Sequence, residues 1–408
     1  MEFKIYTMAE IRAIPISDLR EFAKEIGVRA PTTYTKEALE NAVFDRLQEI
    51  DSRRKTPAEL MSPRARAGII NKSLVPEEER SKYGPFKQLP KHAEVEKFVG
   101  WFRPYSGGDG IVSRKFLPKE DDLFISQSFV LGAKLEMGDK LEGDYIAGKD
   151  GAPGVVAHLM KVNGRQLSDH RAADVFHSER KRPTRLMDIW SSDSALRSFA
   201  LAAPIAYGSR IFLSHGSDCS LTDFSLRLAT SLEAKNLEVL ALFLNALPER
   251  EAEIDALKGG SACSFDIPEK CARYAAEMIC EAAFRMAEEG KDVALIVDNL
   301  EAVADFDLVR RILGAACALE KGSITVFASA NEDIMERRAF KTAESVSDAS
   351  VRFKATRGDV AVDFKQSSVK SGGMDWSLLD RLREIDGEAV SAIVRNCSTR
   401  EQAENVLK

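Results

Sequence analysis

The chain has 408 residues, 44% of them hydrophobic, a net charge of −6 and an isoelectric point near 5.7. That length is ample for two or three domains, and the lack of any run of about eighteen apolar residues excludes a membrane-spanning helix. The acidic balance excludes a surface that is basic throughout, as proteins dominated by phosphate contacts require.

Residues 17–27 form the first amphipathic pattern: Ser17 is placed to cap it, Leu19, Phe22, Ala23 and Ile26 share a face, and Gly27 ends it. A second helix is expected from Thr35 to Ile50, with Leu39, Val43, Leu47 and Ile50 inward. Residues 51–91 carry Pro57, Pro63, Pro76, Pro85 and Pro90 and read as a flexible linker. Basic charge is concentrated at 52–91, with Arg53, Arg54, Lys55, Arg64, Arg66 and Lys72 among its cations, and at Arg180, Lys181, Arg182 and Arg185. Both clusters admit two readings, solvated linker or nucleic-acid contact.

From 92 to 165 the pattern turns to short strands and hairpins, with a Gly107-Gly108-Asp109-Gly110 turn. From about 191 apolar strands (211–214, 239–244, 293–297 and 324–328) alternate with helices, the signature of a parallel α/β sheet. After Gly372-Gly373 the helical spacing of Trp376, Leu379, Leu382, Val390, Ile393 and Val394 closes the chain. The start, Met1-Glu2-Phe3-Lys4, lacks the charged-then-apolar order of a signal peptide. None of the six cysteines is spaced C-x-x-C, and Cys271 and Cys280 fall in one helical pattern, so a reduced, cytoplasmic protein with inert thiols is expected.

Ala203-Pro204-Ile205-Ala206-Tyr207-Gly208-Ser209-Arg210, Ser264-Phe265-Asp266-Ile267-Pro268, the run Gly290 to Asn299, Gly314-Ala315-Ala316 and Glu320-Lys321-Gly322-Ser323-Ile324-Thr325 occur in that order. Together they resemble the corresponding segments of transcription termination factor Rho. The resemblance extends over roughly residues 6–400. Asp121 to Ser126 and Leu135 to Gly143 also resemble the cold-shock-type barrel with which that family holds single-stranded RNA. The resemblance implies a multidomain fold: a small N-terminal helical domain (1–50), a basic linker (51–91), a cold-shock/OB-type β-barrel (92–165), a connector (166–190), a RecA-like α/β P-loop-type ATPase domain (191–373) and C-terminal helices (374–408).

Placed on that family, the stretch 211–222 falls where the nucleotide loop belongs. A phosphate cradle needs G-x-x-x-x-G-K-S/T, in which glycines admit the phosphates, lysine holds them and the hydroxyl ligates Mg²⁺. Here Ser220 stands at the second glycine, Leu221 at the lysine, Asp218 at another family lysine, and Thr222 alone is kept. Losing the lysine removes a contact of about 1.5–3 kcal/mol. Asp298 ends the magnesium strand and is either a Mg²⁺ ligand or a strand-end carboxylate served by backbone donors. Ala246 takes the place of the catalytic glutamate and cannot accept a proton. Glu249 could replace it only through a rearranged turn. Ala302 and Asp305 fall at arginine positions, and the arginine-finger position maps near Ala355, with Lys354 and Arg357 beside it.

The RNA-binding signatures are eroded in the same way. Where the family has base-stacking aromatics, this chain reads Gly108-Asp109-Gly110-Ile111-Val112-Ser113, and the family's base-pocket segment corresponds to Ala152-Pro153-Gly154. Trp101, Phe102, Tyr105 and Phe116 either pack a core or form a different strand platform with Arg103, Arg114, Lys115 and Lys119, each stacked base contributing about 1–3 kcal/mol. The first pore loop, after the magnesium strand, is deleted at Asp305-Phe306-Asp307, and the second is shortened around Asn331 to Glu336.

The expected function is an ATPase-deficient Rho-like protein that binds RNA, Rho or the RNA polymerase machinery, without a cofactor, in a homo- or hetero-oligomeric ring. Two alternatives stand beside it. One is an active, divergent RNA translocase, in which Thr222 and Asp298 would hold Mg·ATP. The other is a scaffold outside transcription.

Overall fold

The computed structural model describes residues 11–45, 95–167 and 181–407, apart from short internal stretches of which 371–375 is the longest. The linker expected at 51–91 and most of the 166–190 connector lie outside the described residues, as do Ile26, Leu47 and Ile50. Near the N-terminus, helix α1 (Ile16–Glu25) and helix α2 (36–45) share a small cluster of Ile11, Leu19, Ala23, Leu39 and Val43. Ser17 lies within α1 rather than capping it, and its hydroxyl donates to Asp18 Oδ1. Thr35 precedes α2, and its hydroxyl accepts from the Ala38 N–H.

A five-stranded barrel follows: β1 (Glu96–Pro104), β2 (Gly110–Ser113), β3 (Leu123–Ile125), β4 (Lys140–Ile146) and β5 (Val155–Val162), with helix α3 (Gln127–Ala133) between β3 and β4. The order is β3-β2-β1-β4-β5, and pairing of Phe124 with Val155 closes β3 onto β5. Ile111 and Val112, where the family has base-stacking aromatics, are both buried, Val112 in the barrel core. Gly110 lets β2 turn beside β1, because a Cβ there would lie 2.1 Å from the Arg103 carbonyl oxygen. The two-residue β6 (Arg165–Gln166) extends β5.

The larger sheet comprises β7 (Arg210–His215), β8 (Glu238–Ala246), β9 (Gly260–Ser264), β10 (Asp292–Asp298), β11 (Cys317–Ala318), β12 (Ser323–Asn331), β13 (Ala349–Ala355) and β14 (Val360–Val369). Its order is β14-β13-β7-β12-β10-β8-β9, with β11 on β12. Six strands run parallel, and β14 returns antiparallel at the edge, so the sheet is mixed rather than purely parallel. The near-continuous apolar runs of β10 and β12 reflect burial on both faces.

One face is covered by α4 (Ser194–Ala202), α5 (Thr222–Ala234) and the terminal helices α10 (Trp376–Glu384), α11 (Gly387–Val394) and α12 (Arg400–Leu407). Arg197 on α4 ties α11 down, donating from Nη1 to the carbonyls of Val394, Arg395 and Cys397 at its end. A short helix, α6 (Glu251–Ala256), precedes β9. The opposite face is covered by α7 (Glu269–Glu288), α8 (Phe306–Gly314) and α9 (Arg337–Val346).

The barrel docks on this second side. Trp101, Phe116 and Leu117 join its core, and Lys115 Nζ donates to the carbonyls of Gly260 at 2.8 Å and Asp255 at 3.2 Å. Buried Arg285 on α7 pairs with Glu136 at 2.7 Å. None of the six cysteines forms a disulfide, and burial pushes the Cys280 thiol up to about 12. Among the described residues, no helix is long and apolar enough to cross a membrane.

Candidate functional site

Strand β7 lies between β12 and β13, and β10 adjoins β12. The carboxyl ends of these strands therefore gather the 216–221 loop, Asp298 and the turn after Asn331 in one crevice, where open α/β sheets bind ligands. Asp298 is fully buried at its floor. Its carboxylate accepts from the hydroxyls of Thr222 at 2.7 Å, Ser225 at 3.0 Å and Ser329. Its partners are thus side-chain hydroxyls, not the backbone donors weighed from the sequence, because α5 and β12 both present hydroxyls to the end of β10. Burial raises its proton affinity against the lowering by these hydroxyls.

The rest of the loop does not reproduce a phosphate cradle. Leu221, at the lysine position, is fully buried in the apolar core, so no charge emerges there. The Ser220 hydroxyl donates to Thr222 Oγ1 at 3.2 Å. Burial, with Asp218 beside it, pushes the Cys219 thiol up to about 11, which removes it as a nucleophile at neutral pH. Ala246 is buried at the end of β8 and offers no base. Asp305 caps α8, accepting from the N–H groups of Asp307 and Leu308, and pairs with Arg273 at 2.6 Å. Near the arginine-finger position, Lys354 is tied to Asp386 at 2.6 Å. The magnesium corner, Thr222 with Asp298, fits Mg·ATP. The loop that would grip the phosphates does not, since it offers a carboxylate and a buried leucine where cations are needed.

Acidic groups crowd the crevice. The Ser217 N–H donates to Asp333 Oδ2 at 2.8 Å, and that bond with the Ser217 hydroxyl, helped by Arg352 and His215, lowers the Asp333 proton affinity. Arg352, opposite Ser214 in the β13–β7 register, pairs with Glu332. Buried His215 has Nδ1 2.8 Å from the Gly216 carbonyl, and its Nε2 has no hydrogen-bond partner among the described residues. Glu301 accepts from the Asn331 N–H at 3.1 Å, and burial, then Asp298, raises its proton affinity.

Sequence reasoning passed over Ser225, Ser329 and Arg352. Ser225 was findable, one helical turn beyond Thr222. Ser329 and Arg352 reach the site only through strand register.

The proposed strand platform is not assembled. Trp101, Phe102, Arg103 and Phe116 are buried, the first and last packed together at 5.2 Å between ring centroids. They offer no face to a base: Phe102 packs inside the barrel, Trp101 and Phe116 join the core beneath α7, and Arg103 rests over Tyr274 of that helix. Lys115 is bound to the larger sheet as described. Arg114 and Lys119 remain exposed and Tyr105 half-buried.

No family model matches the chain. Among curated proteins it is similar to transcription termination factor Rho of Cereibacter sphaeroides, 24% identical over 341 residues that cover 72% of this chain and 78% of that one. It is similar to Rho of Bacillus subtilis, 26% identical over 253 residues, covering 54% and 59%. It is also similar to Rho of Gemmatimonas aurantiaca, 27% identical over 220 residues, covering 50% of this chain and 30% of that one. The chain is a divergent Rho-like protein. Its matches thus span from under a third to about four fifths of these relatives' lengths.

Among solved structures, the Rho-like chain aligns with the ATP synthase subunit NeqB from Nanoarcheaum equitans at a TM-score of 0.44 and 12% identity, covering 56% of this chain and 76% of that one. It aligns with an ATPase of a bacterial type III secretion system at a TM-score of 0.44 and 15% identity, covering 62% and 94%.

Proposed function

We propose that this Rho-like chain is an ATPase-deficient protein that binds single-stranded RNA, Rho or the transcription machinery, and modulates transcription termination. One observation carries the proposal: Leu221 sits in the apolar core where the family's phosphate-gripping lysine would reach into the crevice. Ala246, buried where a water-activating carboxylate belongs, points the same way. The strands and their order are kept while the groups that grip and split a nucleotide are not, the pattern of a frame retained for assembly and binding. Exposed Arg114 and Lys119, with Tyr105, are the barrel residues left to meet a strand. A ring with Rho, or of this chain alone, is the assembly this frame suits, in the cytoplasm where transcripts are made.

The test is ATP hydrolysis by the purified chain with and without RNA, together with a pull-down from native lysate probed for RNA, Rho and RNA polymerase. The expected result is no turnover and recovery of at least one of these partners. RNA-stimulated hydrolysis that Asp298→Ala abolishes would overturn the proposal.

The retained contact between Thr222 and Asp298 favours a second reading, an active divergent translocase using Mg·ATP. Thermal unfolding separates the two. A ligand at 100 times its dissociation constant stabilises by about 2.7 kcal/mol, so a clear rise in melting temperature with millimolar Mg·ATP supports the active reading, and no rise supports the deficient one.

A further inference from the structure

The loop after β7 still has two features that attract anions, and each already holds a carboxylate from the same dipeptide. The Ser217 N–H donates to Asp333, and the Arg352 guanidinium pairs with Glu332. They converge on one point: a Cβ built on Gly216 would lie 3.5 Å from Asp333 Oδ2 and 3.8 Å from Arg352 Nη2. We propose that the anion site of this loop survives and is filled by the chain's own Glu332-Asp333 pair, two successive carboxylates standing where two linked phosphoryl groups would otherwise sit.

The occupant is held by its backbone as well as by charge. The Glu332 N–H donates to the His215 carbonyl at 2.9 Å, zipping the turn onto the end of β7. Asn331 braces the turn from within, its Oδ1 accepting from the Asp333 N–H at 3.0 Å and its carbonyl from the Met335 N–H at 2.9 Å. The shortening of this segment, visible in the sequence, lets it fold back over the loop. Arg352 and Glu332 are about three-quarters buried, so their pairing is shielded from solvent, whereas Asp333 lies at the exposed rim. An incoming phosphate would have to displace both carboxylates and also face Asp218, whose Oδ1 lies 2.9 Å from the same built Cβ. The site is therefore closed by occupancy in addition to the loss of its lysine. This inference rests on the reading of a chain without turnover and supplies a reason for it that does not involve Leu221.

Inorganic pyrophosphate is the probe, titrated calorimetrically into the full chain. The Glu332→Gln, Asp333→Asn double variant keeps the shape of the turn and removes both charges. Its affinity is expected to exceed that of the unmodified chain at least about tenfold, a difference of about 1.4 kcal/mol. Adding Arg352→Ala is expected to abolish the gain. If the double variant, folded by circular dichroism, binds pyrophosphate no more tightly than the unmodified chain, or if its gain persists without Arg352, the inference is overturned. Should the double variant not fold, Asp333→Asn alone weakens only the hold on the Ser217 N–H while the Arg352–Glu332 pair stays in place, and pyrophosphate affinity no higher than that of the unmodified chain overturns the inference. Failure here leaves the proposed function standing, whereas RNA-stimulated ATP hydrolysis by the unmodified chain removes that reading whatever the variants bind.

Discussion

Asp298 and Arg103 are both charged side chains with no exposed surface, and the molecule treats them in opposite ways. Asp298, at the end of β10, accepts from three hydroxyls contributed by α5 and β12. Arg103, where β1 of the barrel meets α7, has no hydrogen-bond partner among the described residues at any of its three nitrogens and rests over the Tyr274 ring, 5.0 Å from its centroid. Its other electrostatic support is Asp122, itself buried and engaged by the Ser113 hydroxyl at 2.7 Å and the Lys119 N–H at 3.0 Å. A buried charge that is fully hydrogen-bonded keeps its neighbours in place, whereas an unpaired one opposes the packing around it. At the carboxyl ends of the sheet strands the buried acid is fully served by its neighbours. At the joint between barrel and sheet, which Lys115 and the Arg285–Glu136 pair also hold, Arg103 is packed at an electrostatic cost.

The largest expected effect is at the satisfied acid. Asp298→Ala leaves three hydroxyls of Thr222, Ser225 and Ser329 without their acceptor in or beside the core, at about 1–3 kcal/mol for each group left unpaired. A loss of about 4 kcal/mol in urea unfolding is expected, and a loss below about 1 kcal/mol would break the contrast. Ser225→Ala, which removes a single donor, should cost only a fraction of that.

Next in size is a pH effect at the joint. Burial holds the Asp122 carboxyl at about 6, above its unfolded value of 3.8. The folded state therefore keeps this proton where the unfolded state has released it. The resulting stability is present at low pH, is lost as pH rises from about 4 to 6, and does not change further above that. The loss totals about 3 kcal/mol, since each tenfold difference in proton affinity between the two states corresponds to about 1.4 kcal/mol. Asp122→Asn should flatten this part of the urea midpoint against pH relative to the unmodified chain. An unchanged slope would mean that Asp122 is not the group responsible.

The smallest effect has the opposite sign. Arg103→Met fills the same space without a charge and is expected to stabilise the chain by about 2 kcal/mol, as replacement of buried ionic groups by apolar ones often does. The stacking on Tyr274 that it gives up contributes about 1 kcal/mol at most sites of this kind. Destabilisation of more than about 1 kcal/mol would show that the guanidinium is better served than its hydrogen bonds indicate. Because Arg103 lowers the Asp122 proton affinity, the same variant should also move the Asp122 titration upward.

How much of this was legible depends on the range of the interactions. The apolar runs of β7, β8, β10 and β12 and the turn residues between them depend on local composition, and the strands were placed to within one to three residues. Thr222 and Asp298 were singled out individually, and the structure brings them within hydrogen-bond distance. The two readings left open for Trp101, Phe102, Arg103 and Phe116 have a definite cause. Along β1 the alternation of buried Phe98 and exposed Val99 gives way to continuous burial from Gly100 to Arg103. Period-two patterning shows which face of a strand is inward but not which outer faces another domain covers. Aromatic and basic residues clustered on a barrel strand therefore look the same whether they will meet a nucleic acid or a neighbouring helix.

The order of residues alone determined the succession of barrel strands and sheet strands, and the places of Leu221, Thr222, Ala246 and Asp298 along them, because each depends on which side chains are present and how far apart along the chain. Tertiary structure alone decided that Leu221 turns into the core, that Ser329 and Arg352 join Thr222 at one crevice, and that Glu332 and Asp333 close over the loop. Those contacts link segments up to about a hundred residues or more apart, and only the sheet register and the docking of one domain on another set which of them meet.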